Sequence, residues 1–110
     1  MNECHRILVP GGIMQILVPS WKSERAYGDM SHEWPPVAPS FFWYVNKSWR
    51  EANKLTHGPY AALTCDFEWS CGPTGLAPQF ALRSYESQVF AATHYADAYG
   101  DMWATLKKRA

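Results

Sequence analysis

A chain of 110 residues lies within the size of one domain and is too short for two independent cores. We therefore expect a single domain over residues 1–110 that folds without a structural metal or a disulfide framework. Ten Lys and Arg balance ten Asp and Glu, which leaves no general attraction for phosphate and disfavours nucleic acid as a partner. Against this neutral background stand six Trp, six Tyr and five Phe. Each such ring buries about 150–250 Å2, and so small an interior cannot enclose them all beside its aliphatic residues.

Residues 6–19 read Arg-Ile-Leu-Val-Pro-Gly-Gly-Ile-Met-Gln-Ile-Leu-Val-Pro. Two β-rich runs around Gly11-Gly12 predict an N-terminal β-hairpin, with Pro10 and Pro19 at strand ends or on an edge. Four matching residues are too few for a structural repeat. Pro10, Gly11, Gly12 and Gln15 interrupt the apolar run, which makes it a poor signal peptide and too short to cross a membrane. Glu3 counts against a mitochondrial presequence.

From residue 20 to residue 40 periodicity disappears, and Trp34-Pro-Pro-Val-Ala-Pro39 imposes an extended or polyproline-like path. This stretch is expected to be an irregular Pro-rich connector. Pro36 and Pro39 have the PxxP spacing of polyproline ligands, without a well-placed basic flank. Phe41-Phe-Trp-Tyr-Val45 suits a buried strand, although a helix starting at Ser40, with Phe41, Tyr44 and Val45 on one face, fits the same residues. Ser48-Trp-Arg-Glu51 matches a capping box and predicts a short helix near 48–57 that stops before Gly58-Pro59.

Residues 63–71 alternate without an error, placing Leu63, Cys65, Phe67, Trp69 and Cys71 on a buried face and Thr64, Asp66, Glu68 and Ser70 toward solvent. A strand is expected there, ended by turn chemistry at Gly72-Pro-Thr-Gly75. Residues 84–108 then predict a long amphipathic C-terminal helix capped at Ser84. Its apolar face would carry Tyr85, Val89, Ala92, Tyr95, Ala96, Tyr99, Met102, Trp103 and Leu106. Lys107, Lys108 and Arg109 would complement the helix dipole at its C-terminal end. The expected fold class is a small mixed α+β domain.

Catalytic signatures are sparse. Cys4, Cys65 and Cys71 are an odd number, which opposes a closed disulfide set and points to a reducing, intracellular compartment. On a regular strand Cys65 and Cys71 stand about 20 Å apart, too far to bridge each other. They read as small buried hydrophobes; a nucleophilic thiol would need a lowered pKa and a histidine such as His57 or His5. His94, Asp97 and Asp101 would share one helix face but lack a fourth metal ligand. Asp29, His32 and Glu33 form a loop cluster that ordinary solvated polarity explains. No phosphate loop, dinucleotide fingerprint or serine elbow is present, so no metal or cofactor is expected.

These features favour a noncatalytic protein–protein interaction protein: an accessory or structural subunit of a larger intracellular assembly, or a small protein inhibitor. Its partner would be another protein, with homo-oligomerisation left open. The candidate interface is Trp21, Trp34, Pro36, Pro39, Trp43 and Trp49, because Trp is enriched at the anchoring points of interfaces. The alternatives are a small enzyme with a Cys/His or His/carboxylate site drawn from Cys65, His57 and His32, and a small-ligand-binding module with an aromatic pocket.

Overall fold

Three antiparallel strands organise the chain, with the C-terminal strand in the centre. The computed structural model describes residues 1–33 and 36–109. In chain order its main elements are α1 (Asn2–Ile7), β1 (Ile13–Pro19), α2 (Glu24–Gly28), α3 (Lys47–Ala52), β2 (Phe67–Leu76), α4 (Tyr85–His94) and β3 (Tyr99–Lys108). Short 3-10 turns occupy Pro39–Trp43, Gly58–Ala62 and Pro78–Phe80. The strand order is β1-β3-β2. The mixed α+β class is therefore present, and among the described residues no helix is long and apolar enough to cross a membrane.

The chain clusters into two compact units, one of Met1–Ile16, Pro39–Ser70 and Ala104–Ala110, the other of Leu17–Ala38 and Cys71–Trp103. Each strand contributes residues to both. In the first unit Lys108 donates to Gly12 O while Gly11 N donates to Lys108 O, and Arg109 N donates to Asp66 O. Its interior holds Phe42, Val45, Cys65, Phe67, Ala104 and Leu106. In the second unit Ser20 N donates to Gly100 O and Ala77 N to Ala98 O. Its buried apolar residues are smaller: Ala26, Ala91, Ala98 and Met102.

The expected N-terminal hairpin does not form. Only Ile7, Leu8 and Val9 precede Pro10, too few to build a ladder, and residues 2–7 coil into α1 instead. The Asn2 side chain anchors that helix, donating to Ala62 O at 2.6 Å and accepting from Thr64 N at 2.9 Å and Cys65 N at 3.1 Å. Gly11, at φ +78°, reverses the chain in a conformation that a side chain would resist. Beyond it β1 pairs with β3.

The long C-terminal helix is also overturned. Ser84 does cap α4, its hydroxyl accepting from Ser87 N, but the helix ends at His94 and Asp97 turns the chain at φ +59°. Residues 99–108 are a strand in which Met102, Ala104 and Leu106 are buried while Trp103 and Lys107 are exposed. Met102, Trp103 and Leu106 fit a helical stripe equally well, so local spacing cannot separate the two; pairing on both edges selects the strand. Lys107, Lys108 and Arg109 consequently do not end a helix of their own. Lys108 Nζ donates to Leu8 O at 2.8 Å, and Arg109 Nε lies 3.6 Å from Asp66.

Between these elements the expectations hold unevenly. Cys65, Phe67, Trp69 and Cys71 do turn inward relative to Glu68 and Ser70, but the strand starts at Phe67 and runs through Gly72-Pro-Thr-Gly75 to Leu76. Its alternation of burial slips by one residue at Cys71-Gly72, where two half-buried residues adjoin and the Trp103 indole lies against Gly72. Pro73 is tolerated because β2 is an edge. Phe41–Val45 is no strand: Pro39 opens a 3-10 turn there. The short helix starts at Lys47, capped by Asn46 rather than Ser48, and ends at Ala52, with Lys54 taking the left-handed exit at φ +58°. Among the described residues from 20 to 40, α2 forms, capped by the Ser23 hydroxyl, and the 3-10 turn opens at Pro39.

Candidate functional site

In the first unit an aromatic cluster grows from a tight turn. The 3-10 geometry of Pro39–Trp43 drives Phe42 inward to 1% exposure and leaves Phe41 and Trp43 outside at 41% and 43%. Asn46 then accepts from Trp49 N at 2.9 Å, starting α3 and placing its indole beside the turn. The rings of Trp43 and Trp49 lie 5.7 Å apart, Trp49 meets Tyr44 edge-on at 5.1 Å, and Tyr44 stacks on Tyr60 at 5.8 Å with 13° between planes. Four rings thus form one continuous chain, with spacings typical of attractive aromatic pairs.

Arg50 secures the backbone of this cluster. It is buried, and its guanidinium donates to Tyr44 O at 2.7 Å, Cys65 O at 2.8 Å and Leu63 O at 3.4 Å. Its planar fork of donors suits three carbonyls approaching from different directions. The Asp66 carboxylate accepts Lys47 N at 3.0 Å, tying α3 to the start of β2.

The second unit has an aromatic groove of about 430 Å3, bounded by the rings of Trp21, Tyr27 and Tyr95 and by Glu24 and Asp97. Lys22 Nζ lies 5.2 Å from the Trp21 ring centroid and donates to the α4 carbonyls of Ala92, at 3.2 Å, and Thr93. Asp97 accepts Glu24 N at 2.7 Å. A smaller hollow of about 350 Å3 is walled by Val18, Pro19, Ala26, Pro36 and Val37, with His32 at its rim.

The expected interface residues are thus distributed. Pro39, Trp43 and Trp49 belong to the first unit, Trp21 and Pro36 to the second, and Trp34 lies outside the described residues. Sequence reasoning passed over Tyr44 and Tyr60 in the first cluster, and Tyr27 and Tyr95 at the second groove. The density of rings at 41–44 signalled Tyr44; Tyr60 is recruited from a separate turn and carries no local signal.

The candidate catalytic and metal groups are separated or occupied. Cys65 is fully enclosed, its Sγ 3.9 Å from Val45 O, and burial pushes its thiol up despite the lowering influence of Arg50. An activated thiol requires the opposite. Cys71 is pushed up by burial as well. Asp101 pairs with Arg25 at 2.9 Å, Asp97 holds Glu24 N, and the His94 ring packs 4.3 Å from Phe90. Asp29 is held below the usual carboxylate range chiefly by the Ser31 hydroxyl, then by the Ser31 amide. His32 Nδ1 lies 3.2 Å from Ala26 O. Among the described residues no group of three His, Cys, Asp or Glu side chains converges to hold a metal ion.

Comparison with protein-family models, with curated proteins and with solved structures finds no match to this chain.

Proposed function

We propose that this chain is a noncatalytic interaction protein whose first unit binds another protein through the face carrying Trp43, Trp49, Tyr44 and Phe41. One observation carries the reading: no described Trp or Tyr is among the buried residues, while Trp21, Trp43 and Trp103 are exposed. Large rings left half in water, contiguous and backed by a rigid turn, have the character of interface anchors. The backing matters because Arg50 and the Asn46 cap hold the cluster in place before any partner arrives, which lowers the ordering cost of association. An accessory subunit or a small inhibitor would both use such a face. Three free thiols, one of them fully enclosed, favour a reducing compartment.

The test is recovery of the tagged chain from its native source beside a Trp43→Ala variant. A companion in fixed ratio to the unaltered chain, lost with the variant while circular dichroism is unchanged, supports the interface. Recovery of the chain alone, or a companion indifferent to Trp43, overturns it.

A second reading has its own observation. The groove at Trp21, Tyr27 and Tyr95 combines apolar walls with two carboxylates, and its volume falls within the range of about 300–1,000 Å3 usual for ligand pockets. It favours a small-ligand role for the second unit.

A further inference from the structure

We infer that the groove of the second unit binds a methylated ammonium group of the trimethylammonium type. The inference rests on the small-ligand reading and is independent of the interface assigned to the first unit. Three observations converge on this chemistry.

Three aromatic residues line the groove: Trp21, Tyr27 and Tyr95, which remain 40%, 67% and 51% exposed. Ring faces attract cations through their quadrupole, Trp most strongly. The Trp21 ring already has a cation 5.2 Å from its centroid, the ammonium of Lys22.

The charge at the rim is uncommitted. Glu24 and Asp97 line the groove, and neither forms an ion pair among the described residues. Among the described residues the Asp97 carboxylate accepts a neutral amide, that of Glu24. Lys22, the one Lys or Arg among the described lining residues, is instead spent on the Ala92 and Thr93 carbonyls at the end of α4, and the His94 ring packs on Phe90.

Methylation decides between ammonium ligands. An unmodified ammonium needs several hydrogen-bond acceptors in exchange for its water; here the Ala92 and Thr93 carbonyls already accept from Lys22 and Asp97 Oδ1 from the Glu24 amide, so a second ammonium would find few beyond the outer carboxylate oxygens. A trimethylated head group has no N–H to satisfy, spreads its charge over apolar methyls and gains from each ring it touches. The same head group occurs in small quaternary amines and in trimethylated lysine side chains, so the two sources share one recognition chemistry.

The experiment titrates the full chain with choline, with the neutral tert-butyl analogue of choline, and with a lysine peptide in trimethylated and unmodified forms, read by calorimetry and tryptophan fluorescence. Saturable binding of choline or the trimethylated peptide, at least about tenfold tighter than the analogue and the unmodified peptide, supports the inference. Equal affinity for choline and the peptide assigns the site to the head group alone, whereas a markedly tighter peptide assigns it to a modified protein. Tyr27→Ala and Glu24→Gln should each weaken binding several-fold, and Lys22→Met should strengthen it by removing a like charge. Analogue binding as tight as that of choline overturns the cationic head group but leaves a ligand groove; no binding by any of the four overturns both.

Discussion

The indole of Trp103 lies against Gly72 in the neighbouring strand: a Cβ built there would stand 2.9 Å from its Nε1 and 3.1 Å from its Cε2 and Cζ2. Only hydrogen fits between the β2 backbone and that ring. Gly72→Ala should therefore force the indole off the strand and lower stability by about 1–3 kcal/mol, seen as a lower urea midpoint and altered tryptophan emission. Pairing it with Trp103→Leu should recover most of the loss, because the two residues share one contact.

Arg50 should be the most sensitive position of the first unit. Replacing it with Met keeps much of the apolar stem but leaves the Tyr44 and Cys65 carbonyls without their donor. An orphaned buried acceptor costs about 1–3 kcal/mol, so Arg50→Met should lose at least that much in chemical denaturation. Arg50→Lys should rescue it only in part, since an ammonium cannot copy the guanidinium fork. The ring chain depends on the same backbone, so near-ultraviolet circular dichroism should weaken in step.

Alkaline pH should destabilise the fold through its thiols. Burial raises Cys65 and Cys71 above the usual 9.0, so the folded state keeps these protons where the unfolded chain releases them. Their contribution is full below the unfolded value and is lost as pH rises through the raised folded values. Stability measured from pH 8 upward should fall, and Cys65→Ala should fall less steeply from its own starting value. Native Cys65 should also resist alkylation at neutral pH and react once denaturant is added.

His5 Nε2 is enclosed without a protein partner among the described residues, and the ring meets Phe67 edge-on at 5.1 Å. A polar atom so placed lowers stability, whereas an apolar ring of similar shape keeps the aromatic contact. His5→Phe should accordingly gain about 1 kcal/mol, read as a raised melting temperature. A loss would mean that Nε2 is satisfied in solution.

Signals of short range were legible in the order of residues. The inward set Cys65, Phe67, Trp69 and Cys71 follows from alternation alone, and the Ser84 cap follows from the chemistry of one hydroxyl. The surplus of rings over interior space also follows from counting, and the described Trp and Tyr residues do stay out of the buried set. Partnership between distant segments was not legible. Residues 99–108 satisfy both a helical and a strand period, and they become β3 because residues 13–19 and 67–76 offer their backbones on either side. Residues 7–9 have strand-forming side chains yet no ladder: Ile7 ends a helix held by Asn2, and Leu8 leaves it in an extended conformation. The aromatic cluster shares this logic: Trp43, Tyr44 and Trp49 are near in the chain, but the 3-10 turn that brings Tyr60 onto Tyr44 has no counterpart in spacing. Propensity and capping act over a few residues, whereas strand pairing and ring contact are long-range energies that become visible only once the chain has closed on itself.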